Sequence, residues 1–197
     1  LYNIFSTSGV SGGGNTVFES GSTGSYSIRA INDSGVDATA DYSFASGFGN
    51  QAVGAASHAE GGFPGKGYFN IAAGEGSHAE GGNTRASGST SHAEGFFTTA
   101  TGIASHAEGT GTQSLADGSH SEGSDTVAGG TYSHAEGDNT TASGDASHAE
   151  GSGTLASGTT SHAEGSGTVA GGTYSHAEGR DTLASGTTSH AEGSGTT

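Results

Sequence analysis

The chain has 197 residues; 40 are Gly, one is Pro, none is Cys, Met or Trp, and the formal charge is −16. Leu, Ile, Val and Phe total only 23, and few large apolar residues with high net charge is the usual mark of a disordered chain. Without Cys there is no disulfide scaffold, zinc ribbon or thiol nucleophile. No apolar run approaches ~18 residues, so no helical membrane span is expected. The fixed cations are Arg29, Lys66, Arg85 and Arg180, too few for a nucleic-acid partner. A disordered acidic chain or a repeat protein remains.

Residues 1–33 hold short apolar alternation (Tyr26, Ile28) and turn clusters such as Gly12-Gly13-Gly14-Asn15. They read as an N-terminal cap or junction, and the start at Leu1 reads as a processed chain or a fragment. From residue 34 a frame begins. Ser34 to Tyr42 matches the second half of a repeat unit, and Ser43-Phe44-Ala45-Ser46-Gly47 opens the first whole one. Ten Ser-His-Ala-Glu-Gly segments follow, with Ser121 in place of Ala in one of them. The first two His are 20 residues apart and the others 14. Numbering each unit from its Ser, position 4 is always Glu, and position 8 is Thr in nine consecutive units, Thr84 to Thr196. A disordered chain has no reason to keep that register, so the repeat decides the fold.

Fourteen residues is too short for a helical repeat. It suits one coil of a parallel β-solenoid, with two strands of about five residues at positions 1–5 and 8–12. Gly, Asn and Asp at positions 6 and 7 (Gly82-Asn83, Ser124-Asp125, Asp138-Asn139) suit corners with positive φ. Coils stacked at ~4.8 Å make a rod of roughly 50 Å. Ala, Ser and Gly can fill its thin core, because the backbone bonds to neighbouring coils. The predicted organisation is a cap over 1–33 and repeats over 34–197, with a corner insertion at 62–69. The chain stops at position 9 of a unit, so its end is expected to be cleaved, omitted or stacked on another subunit.

The pattern S-x-A-x-G followed by T-x-A-S-G resembles the head repeats of trimeric autotransporter adhesins. The Ser-His-Ala-Glu-Gly form is similar to repeats in phage tail fibres and tail spikes, some of which end in a self-cleaving chaperone domain. The resemblance covers about residues 34–197. It implies a left-handed parallel β-roll assembled as a homotrimer, on a virion or in an extracellular setting. The adhesin heads carry apolar residues at positions 2 and 4, where this chain has His and Glu.

Alternation puts positions 2 and 4 on one face and the Ser, Ala and Gly of positions 1, 3 and 5 on the other. Stacking then makes a column of His58, His78, His92, His106, His120, His134, His148, His162, His176 and His190. Beside it runs a column of Glu60, Glu80, Glu94, Glu108, Glu122, Glu136, Glu150, Glu164, Glu178 and Glu192. Two unit charges ~4.8 Å apart repel by roughly 0.9 kcal/mol in water and about 3.5 at an effective dielectric of 20, so the Glu column needs partners. The leading expectation is a buried or interfacial His–Glu hydrogen-bonded ladder, with raised His and lowered Glu pKa values. The alternatives are a solvated stripe and a metal array using the ten His as ligands.

The inserted corner brings together Phe48, Phe63, Lys66, Tyr68, Phe69, Phe96 and Phe97, counting one coil before and two after it. Local packing is the plain reading. A glycan- or protein-receptor patch is the sharper one. No catalytic constellation survives. Gly9-Val10-Ser11-Gly12-Gly13 lacks a strand–helix context, Pro64-Gly65-Lys66-Gly67 lacks the P-loop pattern, and adjacent Ser and His face opposite ways. The expected function is a non-enzymatic fibre segment or adhesin-like stalk, with no cofactor beyond a metal ion. The alternatives are a filament subunit stacked end to end, a metal-stabilised fibre, and an ice-binding solenoid built on the Thr column.

Overall fold

The computed structural model describes residues 18–20, 23–30, 36–63 and 65–197. Most of the expected cap, the Gly9–Gly13 segment, Ser34, Gly35 and Pro64 lie outside the described residues. The protein is an all-β parallel solenoid. Among the described residues its strands form two sheets, one of 13 strands and one of 11, each in sequence order along the stack. Equivalent residues pair from coil to coil, as in His134↔His148, Ala135↔Ala149 and Glu136↔Glu150 on one sheet. Thr141↔Leu155 and Ala142↔Ala156 repeat the relation on the other. The long coil keeps this register: His58 pairs with His78 although 20 residues separate them. The extra residues are therefore extruded at a corner without disturbing the ladder.

Strand lengths differ from the expected pair of fives. The first strand of a typical coil covers five residues, as in His134–Asp138, but the second covers two, as in Thr141–Ala142. The reason is local. The carbonyl of Ala156 accepts both Ser143 N–H at 2.9 Å and Gly144 N–H at 3.2 Å. The chain is already turning at position 12, so the ladder ends there.

Corners are the next determinant. Position 7 takes positive φ, as the Asn and Asp residues suggested: Asn83 (60°), Asp125 (53°), Asn139 (55°) and Asp181 (52°). The backbone of the second expected corner was not foreseen. Its position 14 also has positive φ but carries ordinary residues, among them Thr90 (54°), Tyr132 (57°), Ala146 (51°) and Tyr174 (56°). Left-handed backbone is costly for such side chains. After Ala146 and Tyr174 the turn is held by the Ser that follows it. Ser147 donates its hydroxyl to Gly144 O at 2.6 Å, and Ser175 to Gly172 O at 2.6 Å.

The core is a column of small side chains. Ala at positions 3 and 10, Ser at position 1 and Thr at position 8 are buried in coil after coil. Thr, rather than Gly, completes the expected filling and supplies most of the largest fully buried side chains. Each coil buries little apolar area, and its backbone is satisfied by the coils on either side. At the N-terminal side, strand β1 (Phe18–Ser20) pairs antiparallel with β2 (Ile28–Ala30), which in turn pairs parallel with Phe44–Ala45. The first sheet thus ends in an antiparallel strand.

Candidate functional site

The alternation that buries Ser147 and Ala149 turns His148 and Glu150 outward. Repeated in register, it builds two adjacent columns on the five-residue-strand sheet. From His58 to His190 the imidazoles form an unbroken stack, with ring centroids 4.5 to 5.0 Å apart and planes within 10° of parallel. Phe44, at the His position of the first unit, abuts His58 edge-on at 4.9 Å.

The glutamates thread between the imidazoles. Glu60 places Oε2 3.7 Å from His58 Nε2 and Oε1 3.6 Å from His78 Nε2. Glu80 repeats this with His78 at 3.9 Å and His92 at 3.7 Å, and Glu164 with His162 at 3.8 Å and His176 at 3.9 Å. Glu94 likewise reaches His92 at 3.8 Å and His106 at 3.9 Å. The closest approaches are Glu108 to His120 at 3.2 Å, Glu122 to His134 at 3.3 Å and Glu136 to His148 at 3.4 Å. Glu150 lies 3.7 Å from His162, Glu178 3.8 Å from His176, and Glu192 3.9 Å from His190.

Within the single chain most of these distances are longer than hydrogen bonds. Only His120 with Glu108 and His134 with Glu122 make hydrogen bonds. The Nε2 atoms of His58, His78, His92, His106, His148, His162 and His176 are shielded from solvent and have no hydrogen-bond partner. Ring stacking and the coil repeat place the imidazoles, and the carboxylates settle between them. The side chains of His92 and Glu94 keep 33% and 32% of their exposure, so the columns are neither core nor a fully solvated stripe.

The expected rise in His pKa is also reversed where a shift is resolved. His78 is lowered from 6.5, first by burial and then by the neighbouring His58 and His92, against a smaller raising effect of Glu60. A lowered imidazole favours the neutral form in the fold. Its contribution to stability is complete above pH 6.5 and is lost as the pH falls. The expectation had the opposite sign.

Several His/Glu triads have the geometry of metal ligands. In His58/Glu60/His78, Glu80/His92/Glu94, His106/Glu108/His120, Glu122/His134/Glu136 and His162/Glu164/His176 the ligand atoms lie within 4.8 Å of one another. A shallow groove beside the Glu column is lined by Glu150, Gly151, Glu164, Gly165, Glu178 and Gly179.

The inserted corner is a hairpin. Phe63 N–H donates to Tyr68 O at 2.9 Å, and Lys66 is exposed near its tip. Phe63 meets Phe96 edge to face at 6.1 Å; Tyr68 meets Phe96 at 5.3 Å and Phe97 at 5.2 Å; Phe96 meets Phe97 at 4.3 Å. Four of the six named aromatics thus form one cluster. Phe69 packs instead over Gly49, where an added Cβ would lie 3.1 Å from Phe69 Cβ. Phe48 is half-buried one coil earlier, outside that cluster. Gly82, not singled out from the sequence, makes room for Phe63: a Cβ there would stand 2.3 Å from its ring.

Three further relations were missed. Asn50 and Asn70 take the Thr position in the coils beside the insertion and are fully buried. Asn70 donates to Glu60 O at 2.6 Å and Gly81 O at 2.8 Å, and accepts from Thr84 N–H at 3.0 Å. Ser114 and Ser121, the two Ser residues at Ala positions, hydrogen-bond in the core. Departures from the repeat at facing positions were the available signal for both. Tyr26 and Tyr42 stack at 5.3 Å with planes 13° apart, both exposed.

The Thr column faces inward, with Thr98, Thr112, Thr126, Thr140 and Thr168 at 0% exposure. Side chains at position 8 point between the sheets, so the ice-binding alternative loses its surface. Ser147 is inward and His148 outward, which separates every such Ser–His pair. No helix among the described residues is long and apolar enough to cross a membrane. No protein-family model matches this sequence, and no curated protein matches it.

Proposed function

We propose that this chain is a rigid, non-catalytic segment of a surface fibre, extracellular or on a virion, that works as a homotrimeric spacer. The observation that carries the reading is the unbroken in-register parallel pairing on both sheets, which turns 14-residue units into an elongated rod. A rod whose length grows with each added coil suits holding something away from a surface. Self-association is supported by the outer face of the two-residue strands. Ile71, Val127, Leu155, Val169 and Leu183 share position 9 there and keep part of their area exposed. The column is broken by Arg85, Thr99, Gln113 and Thr141, but its consecutive Leu155, Val169 and Leu183 suit burial against further copies, while the His/Glu face stays outside.

The aromatic corner is the receptor-binding element in this reading. Phe63 at 48% and Phe97 at 41% exposure, with Lys66 near the hairpin tip, suit a glycan or a protein surface. Light scattering with small-angle X-ray scattering tests the fibre reading. Three chains in a rod with coils stacked over roughly 50 Å are expected. A monomeric mass or a compact globular profile overturns it.

A further inference from the structure

We propose that the His/Glu ladder is a one-dimensional binding site for zinc-type divalent cations, each held by one imidazole Nε2 and by oxygens of two glutamates one coil apart. The proposal stands on the ladder alone, and holds whether or not the chain serves as a fibre.

Distance is the first argument. Hydrogen bonds of this type span ~2.7–3.2 Å, and most Nε2–carboxylate separations here are 3.4 to 3.9 Å. Two ligands of a tetrahedral zinc, each ~2.0–2.2 Å from the ion, stand roughly 3.3 Å apart. Most Nε2–carboxylate pairs are therefore too open for a shared proton, and those pairs need to close by only a few tenths of an ångström around a shared ion, the ligand atoms of each triad lying within 4.8 Å of one another. Seven Nε2 atoms are shielded from solvent with no hydrogen-bond partner, and four of them, those of His78, His92, His162 and His176, each lie within 3.9 Å of two carboxylates. Stacking on both sides fixes the ring planes, so the nitrogens are preorganised before any ion arrives.

Connectivity is the second argument. Glu80 offers Oε2 to its own coil's His78 and Oε1 to the next coil's His92, and Glu164 does the same between His162 and His176. Each carboxylate can thus bridge two neighbouring sites. One imidazole and two carboxylate oxygens leave a position for water, a set that suits zinc, cobalt or nickel and gives calcium or magnesium less than an all-oxygen cage.

Charge sets the occupancy. One dication offsets two glutamates, whereas dications one coil apart repel four times as strongly as unit charges. Alternate filling follows, at one ion per two coils or about five per chain. Glu80/His92/Glu94 and Glu122/His134/Glu136, which share no residue, have this one-imidazole, two-carboxylate set.

The test uses tag-free protein stripped with chelator and then dialysed against zinc chloride. Bound zinc is counted by mass spectrometry of the metal, and cobalt chloride serves as the optical probe. About five zinc ions per chain are expected, with a raised melting midpoint and the intense visible bands of four-coordinate cobalt. Magnesium chloride should give no such rise. Less than one retained zinc, or a cobalt spectrum identical to the aquo ion, overturns the proposal. The E122Q/E136Q variant should keep its circular dichroism and lose about one zinc; undiminished stoichiometry in a folded variant overturns the bridging role. If the variant does not fold, the zinc, cobalt and magnesium results on the native chain decide.

Discussion

Ser114 Oγ and Ser121 Oγ lie 2.7 Å apart in the middle of the rod, hydrogen-bonded across the space between the two sheets. They stand where other coils place Ala, and the Ala core divides there into one column ending at Ala107 and another starting at Ala128. Ser114 also donates to His106 O, so removing Ser121 leaves it a partner, whereas removing Ser114 strands the Ser121 hydroxyl. S114A should therefore cost about 1–2 kcal/mol, S121A less, and the double variant less than S114A alone. Chemical denaturation of the three variants checks this, and simple additivity would contradict the pairing.

Thr140 makes the opposite case. Its Oγ1 is buried without a hydrogen-bond partner, as are those of Thr126 and Thr154 on either side. T140V keeps the shape and removes an unpaired hydroxyl, so it should leave stability unchanged or raise it by up to about 1 kcal/mol. A fall in the thermal midpoint would mean that the hydroxyl has a partner.

Gly137 combines a φ of 109° with a neighbouring carbonyl, Gly151 O, that an added Cβ would approach to 2.1 Å. G137A should cost about 3 kcal/mol or more, since the obstruction is backbone. Gly153, with φ 65° and nothing within 4 Å of an added Cβ, is the control. G153A should cost about 1 kcal/mol, the backbone penalty alone. Equal losses in denaturant midpoint would remove the steric account.

Asn70 holds the wide coil closed. Losing its side chain leaves the carbonyls of Glu60 and Gly81 and the amide of Thr84 without these bonds. N70A should cost about 3 kcal/mol and increase amide exchange at residues 60–84 before the rest of the rod. Uniform exchange along the rod would point to a different origin.

Removing residues 63–68 should leave the coils intact, because His58 and His78 pair directly on the sheet. Binding to the cognate surface should be lost while the circular dichroism stays the same. Retained binding would dismiss the aromatic corner as the receptor element.

The fold was legible in one dimension. A strict 14-residue register forces equivalent residues to stack, and alternation within Ser-His-Ala-Glu-Gly decides which of them face in. Those two facts sufficed for the parallel solenoid, the small-residue core and the His and Glu columns. They could not reach quantities set by three-dimensional spacing. The ring separation near 4.8 Å keeps most carboxylates out of hydrogen-bond range and lets burial and neighbouring imidazoles lower His78. The shared Ala156 carbonyl, the left-handed Tyr132 and Tyr174 and the Ser114–Ser121 bond depend on contacts between residues that the repeat merely makes neighbours. The aromatic corner divides the same way. Its location follows from the 20-residue gap, but the room beside Gly82 decides which rings meet.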